Sequence, residues 1–184
     1  RELPGVGTAY KVMQALYGNT DTSHLLDLVA MGIVADVMVQ VDDTRYLLQQ
    51  GLERLRYEPR AGLRAMMTRA DISPRSLTEM DIGFSLAPRL NALGRLADAN
   101  PAVNLLTTHD SAIITERVNE LEGLNQKRRL LTRQVYAAAQ QKIEENPSLL
   151  KYAALVVSGE NWHTGVVGIV ASRLVEDYQR PVLV

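Results

Sequence analysis

Cysteine is absent from the 184-residue sequence, and histidine occurs only three times. The first absence excludes a disulfide scaffold and any thiolate metal site, and it accords with a reducing compartment. The three histidines, His24, His109 and His163, stand far apart, so none has metal-ligand spacing to another. No apolar run reaches the length of a membrane span, and the first residues lack a signal-peptide pattern, so a soluble protein is expected. Low-complexity tracts and blocks of like charge are also missing. Phosphate-loop, nucleophile-elbow and zinc-finger patterns do not occur either, which removes several common enzyme classes.

What is present is globular. The chain is 46% hydrophobic and 22% charged, and it is long enough to bury a real core in one domain or two small ones. A net charge of −1 gives no overall attraction to nucleic acid. Arginine far outnumbers lysine, and arginine is the better bidentate partner for phosphate, although codon bias explains the excess equally well. The chain begins without an initiator Met and stops in Pro181-Val182-Leu183-Val184, a strand-like segment, so it reads as an excised piece.

The first portion, to about residue 108, reads as a string of short helices. Candidates are Thr8 to Tyr17, closed by Gly18-Asn19, the apolar stretch Leu25 to Ala35, and a helix after Asp42-Asp43-Thr44 that presents Leu47, Leu48, Leu52 and Leu55 on one side. Further helices are predicted over Ala61 to Arg69 and Ser76 to Ser85. The alternating valines of Val37 to Val41 allow a short strand. From Asp110 to about Glu145 only Gly123 interrupts, and Ile114, Val118, Leu121, Leu131, Val135 and Ala138 draw one apolar seam on a long helix. Asn125 and Arg128 fall on that seam and need partners, which satisfied interhelical hydrogen bonds or a ligand would supply. Beyond Pro147 a strand (Ala153 to Val157), a helix (Gly165 to Tyr178) and a second strand (Pro181 to Val184) imply a parallel pair. The expected fold class is α/β, predominantly helical, with a boundary near residue 148.

Three polar-in-apolar segments carry the chemistry. The run Pro88-Arg89-Leu90-Asn91-Ala92-Leu93-Gly94-Arg95 suits a turn that holds guanidinium and amide groups over a cleft, where they would grip phosphate or carboxylate oxygens. Asp27, inside Leu25-Leu26-Asp27-Leu28-Val29, is costly to ionise there unless paired, hydrogen-bonded or bound to a metal, and an N-cap role competes evenly with a ligand role. Asp36 lies about half a turn out of phase with it on a helix and reads as a helix-end residue. In Trp162-His163-Thr164-Gly165-Val166-Val167-Gly168, glycines open a helix whose free amides attract anions, and Ser172 and Arg173 follow two turns on. Close packing at Gly168 and simple exposure of Arg173 are the structural alternatives.

Together these segments resemble the RecJ family of single-strand-specific 5′→3′ exonucleases in the DHH phosphoesterase superfamily. The similarity runs through Asp27-Leu-Val-Ala-Met-Gly-Ile-Val-Ala-Asp36, Gly83-Phe-Ser-Leu-Ala-Pro-Arg89-Leu-Asn91-Ala-Leu-Gly94-Arg95 and Trp162-His163 through Arg173. Gly5-Val6-Gly7-Thr8-Ala9 and Leu124-Asn125-Gln126-Lys127-Arg128 match in register too. The resemblance implies the C-terminal part of a DHH domain over residues 1–109, a connector helix over 110–147 and the start of an α/β DHHA1 domain over 148–184. It implies that Asp27 is a carboxylate ligand of catalytic Mn²⁺ or Mg²⁺. Arg89, Asn91, Arg95, His163, Ser172 and Arg173 would hold the phosphates of single-stranded DNA. It further implies a cytoplasmic bacterial enzyme of DNA repair and recombination, with a single-strand-binding protein and a helicase as partners.

The family's Asp-x-Asp element and Asp-His-His triplet are absent, so with one candidate ligand this piece is expected to be inactive by itself. Two other readings stand beside this one. One is a DHH–DHHA1 phosphodiesterase acting on short oligonucleotides or cyclic dinucleotides, and the other is a non-catalytic scaffold that binds DNA or a partner.

Overall fold

The computed structural model describes residues 3–184; Arg1 and Glu2 lie outside the described residues. Nine α-helices and two short strands follow one another among the described residues: α1 (Gly5–Tyr17), α2 (Leu26–Ala35), α3 (Asp42–Tyr57), α4 (Ala61–Arg69), α5 (Glu79–Asp81), α6 (Ala87–Leu96), α7 (Asn100–Thr107), α8 (Ser111–Glu145), β1 (Leu155–Val156), α9 (Thr164–Tyr178) and β2 (Val182–Leu183). The mostly helical α/β class read from the sequence is what the chain adopts. Packing groups the residues into two compact units. One comprises the chain up to Asn91 with Ala99–Leu121, and the other comprises Ala92–Asp98 with Glu122–Val184. Helices α6 and α8 each contribute residues to both.

The first unit is built on the pairing of α2 with α3. Helix α3 carries Asp42 and Asp43 in its first turn and Arg54 and Arg56 in its last, the arrangement that complements a helix dipole. Its buried Leu47, Leu48, Leu52 and Leu55 belong to the same core as Val29, Ala30 and Ile33 of α2. Gly51 allows the close approach. A Cβ there would strike the Leu26 carbonyl oxygen and lie 2.6 Å from Ala30 Cβ. Gly62 of α4 does the same against the Leu105 carbonyl of α7. Leu63, Met66 and Met67 of α4 are buried, as are Leu77, Ile82 and Leu86.

Two local expectations are corrected. Val37–Val41 forms no strand. Val37 sits at φ 52° in the turn that closes α2, and its side chain, like those of Val39 and Val41, is exposed. With no neighbouring strand to take up its backbone groups, alternation of valines alone cannot build one. The helix expected over Ser76 to Ser85 starts only at Glu79, after a separate 3₁₀ turn (Pro74–Ser76), and α5 then passes through a π-helical turn (Ile82–Leu86) into α6. A Thr78–Asp81 capping box starts α5 three residues late.

The second unit buries Val135, Ala139 and Ile143 of α8 with Leu155 and Val157, and with Val166, Val170 and Leu174 of α9. Strands β1 and β2 pair in parallel, Leu155 with Val182 and Val156 with Leu183, as the strand–helix–strand order requires. Arg180 supports this end by donating from Nη1 to the carbonyls of Leu150 (2.8 Å) and Tyr152 (3.0 Å). Helix α8 is continuous from Ser111 to Glu145, as its seam predicts.

Candidate functional site

Asp27 is 1% exposed, in the first turn of α2. A buried carboxylate needs compensation, and Arg60 supplies it. Its Nε donates to Oδ2 at 2.6 Å and its Nη2 to Oδ1 at 2.7 Å, a bidentate fork closed across 33 residues of sequence. The Leu28 backbone N–H adds a bond to Oδ1 at 2.8 Å. Asp27 is therefore no N-cap. The residue at the cap position is Leu25, which makes no side-chain bond. Arg60 is itself anchored: Nη1 donates to the Leu106 carbonyl at 2.6 Å and Nη2 to that of His24 at 3.2 Å. Asp36 caps the C-terminal end of α2, as its phase requires.

Arg60 is the residue that the sequence did not reveal. Burial of Asp27 announced that a cation had to sit nearby, but nothing in Pro59-Arg60-Ala61 marks this arginine over the chain's others. Whether a divalent ion suits this place depends on the acceptor positions that remain. An ionised carboxylate offers about four lone-pair sites. The Arg60 fork and the Leu28 amide use both on Oδ1 and one on Oδ2, which leaves a single free position, on Oδ2. Asp27 thus fits a metal ion as one monodentate ligand. No group of three or more His, Cys, Asp or Glu stands together among the described residues, so the remaining ligands are not supplied by them.

Arg89, Asn91 and Arg95 all lie on α6, in a helix rather than the turn expected. The π-helical turn Ile82–Leu86 runs directly into α6, so Pro88 stands inside a continuous helical run, where its missing N–H leaves one backbone acceptor of the preceding turn without its helical partner. Arg89 Nη1 donates to the Ser85 carbonyl at 2.7 Å. Asn91 is exposed and lines a cavity of about 380 Å³ with Pro88, Phe84, Met38 and Val34. A larger groove of about 840 Å³, between α4 and α8, contains none of the residues that the sequence singled out.

In the second unit, Arg95 and His163 come together around Gly165. Arg95 Nη1 donates to the Gly165 carbonyl at 3.1 Å, and a Cβ on Gly165 would strike the carbonyl oxygen of Arg95. His163 caps α9: its Nδ1 accepts the Gly165 N–H at 3.0 Å, which leaves the ring proton of the neutral form on Nε2. Arg128 is close enough to be affected. Burial, then the neighbouring Arg95 and Arg129 guanidiniums, hold its pKa below the ordinary arginine value. Its Nη2 donates to the buried Asn125 Oδ1 at 2.9 Å, and its Nε is buried with no partner. The two seam residues are thus bonded to each other along α8 instead of across to another helix. Guanidiniums beside the amide end of a helix form an anion-attracting surface.

Ser172 and Arg173 lie further along α9. Ser172 Oγ donates to the Gly168 carbonyl at 3.1 Å. Arg173 stacks on the Tyr136 ring, 4.0 Å from its centroid, and the Tyr136 hydroxyl donates to Asp177. That hydrogen bond, followed by burial and the Asp177 charge, raises the pKa of Tyr136. His24 and His109 are exposed, and His24 meets the site only through its backbone carbonyl, which accepts from Arg60.

No family model matches the chain. It is 40% identical over all its residues to the single-stranded-DNA-specific exonuclease RecJ of Bacillus subtilis, of which it spans 23%. It is 36% identical to RecJ of Escherichia coli, of which it spans 35%. The crystal structure of RecJ in complex with Mn²⁺ from Thermus thermophilus superposes with a TM-score of 0.88 at 32% identity, covering 99% of this chain and 27% of that one. A crystal structure of exonuclease RecJ bound to manganese gives a TM-score of 0.83 at 32% identity, over 96% of this chain and 44% of that one. The resemblance read from the motifs holds along the whole chain, which spans about a quarter to a third of the length of these curated relatives.

Proposed function

We propose that this chain is part of a divalent-metal-dependent exonuclease that degrades single-stranded DNA from the 5′ end to mononucleotides in DNA repair and recombination. The observation that carries this reading is similarity of both sequence and backbone to RecJ proteins over essentially the whole chain. In this reading Asp27 supplies one carboxylate ligand to Mn²⁺ or Mg²⁺, and the other ligands come from outside the described residues. Such an ion, when bound, supplies charge neutralisation at the phosphodiester.

The chain's own residues bind and orient the strand. Arg95 and the Nε2–H of His163 take phosphate oxygens beside the positive end of the α9 dipole, and the charge-assisted bond from Arg95 is about twice as strong as a neutral one. Arg89 and Asn91 add contacts from α6. Ser172 turns its hydroxyl from the Gly168 carbonyl to a phosphate, and Arg173 offers its exposed guanidinium edge. Contacts of this kind hold any sequence, as a general single-strand nuclease requires. A single-strand-binding protein and a helicase would act as partners in a bacterial cytoplasm. With one ligand, the chain by itself is inactive.

The test compares the full-length protein with the 184-residue chain for mononucleotide release from 5′-phosphorylated single-stranded DNA in Mn²⁺. Release by the full-length protein alone is expected. A full-length protein that spares DNA but cleaves dinucleotides would overturn the assignment in favour of a short-oligonucleotide phosphodiesterase. Binding without any cleavage would make it a scaffold.

A further inference from the structure

We propose that Arg60 is a positioning residue for Asp27: it clamps the carboxylate so that only one lone pair, on Oδ2, is presented to a divalent ion. The inference rests on the reading of Asp27 as a metal ligand. Nothing in the sequence motifs points to Arg60, and its case is made by geometry alone. A carboxylate free to rotate about its Cβ–Cγ bond could offer either oxygen, or both at once. Asp27 has no such freedom. The Arg60 fork fixes the plane of the group at Oδ2 (2.6 Å) and Oδ1 (2.7 Å), and the Leu28 amide takes the other side of Oδ1 (2.8 Å). Monodentate ligation through Oδ2 is the arrangement these bonds leave open.

The clamp is held rigidly in its turn. Arg60 is the N-cap residue of α4, and two of its three remaining N–H groups bond the carbonyls of Leu106 and His24. The guanidinium therefore belongs to a frame joining α2, α4 and the end of α7, not to a loose surface side chain. A lysine cannot reproduce this, because a single ammonium lacks the planar fork. Hydrogen-bonded partners behind a ligating carboxylate typically contribute about 10- to 100-fold to metal affinity.

The experiment measures Mn²⁺ affinity of the full-length protein by electron paramagnetic resonance, for wild type, Asp27→Asn, Arg60→Lys and Arg60→Met, each at a temperature well below its own unfolding midpoint. The expected result is a loss of about 10- to 100-fold for both Arg60 variants. Arg60→Lys retains the charge and most of the packing, so it reports on the fork even if Arg60→Met does not fold. Wild-type affinity in Arg60→Lys, together with a loss in Asp27→Asn, would overturn the positioning role while leaving Asp27 a ligand. Unchanged affinity in Asp27→Asn would instead remove the reading on which the proposal stands. A purely structural role for Arg60 would lower the unfolding midpoint and leave the affinity of the folded protein unmoved.

Discussion

Replacing Gly51 with alanine probes the contact that fixes the position of Asp27. Two effects oppose each other. In the middle of an exposed helix, Gly→Ala gains about 1 kcal/mol of helix propensity. Here the new methyl would meet the Leu26 carbonyl oxygen and lie 2.6 Å from Ala30 Cβ, both on α2. A backbone carbonyl inside a helix cannot swing aside as a side chain can, so α2 and α3 must separate. Overpacking of this kind costs about 1–3 kcal/mol, and the backbone clash places it at the upper end. The net expectation is a loss of about 1–2 kcal/mol. At about 2–4 °C per kcal/mol for a chain of this size, the midpoint falls by about 2–8 °C. Urea and thermal denaturation followed by far-ultraviolet circular dichroism would measure both quantities. Leu26 precedes Asp27, so the same substitution is also expected to weaken Mn²⁺ binding in the full-length protein. A Gly51→Ala chain as stable as wild type, or more so, would refute the argument, because propensity would then outweigh the clash.

Two further outcomes follow from the ion pair and the tyrosine. Asp27→Asn leaves the Arg60 guanidinium facing a neutral amide, and since breaking a buried pair costs about 3–5 kcal/mol, urea denaturation should show a loss of at least about 2 kcal/mol given the partial exposure of Arg60. A loss under about 0.5 kcal/mol would mean that the pair does not hold α2 to α4. Tyr136 has a pKa raised above its ordinary value of 10.0, chiefly by its hydrogen bond to Asp177. The folded state therefore holds the phenol proton more tightly, so the contribution is complete below about pH 10 and is lost as pH rises through the raised value. The midpoint difference between wild type and Tyr136→Phe should shrink from about pH 9 to about pH 11, and a constant difference would contradict this.

Much of the fold was legible because its signals are local. The seam of α8, the helix-end place of Asp36 and the switch to strand–helix–strand after Pro147 all lie within a few residues of the structure they determine. What was not legible depends on contacts distant in sequence. Val37–Val41 has a strand's alternation but no neighbouring strand, and the Thr78–Asp81 box redirects a stretch whose composition suits one helix. The same division holds for the site. Asp27, Arg95 and His163 stand out as polar groups in apolar surroundings. Arg60 does not, because its importance comes from a partner 33 residues away. Asn125 and Arg128 need partners because they lie on an apolar seam, but periodicity cannot show that they bond each other within α8.

The most direct test of the account is the degradation of 5′-phosphorylated single-stranded DNA by the full-length protein in Mn²⁺, comparing wild type with Asp27→Ala and using strands labelled at either end. The account predicts mononucleotides released from the 5′ end by wild type, and no release by a folded Asp27→Ala variant. An Asp27→Ala protein that degrades the strand as fast as wild type would contradict it, since the buried carboxylate would then serve only to hold Arg60.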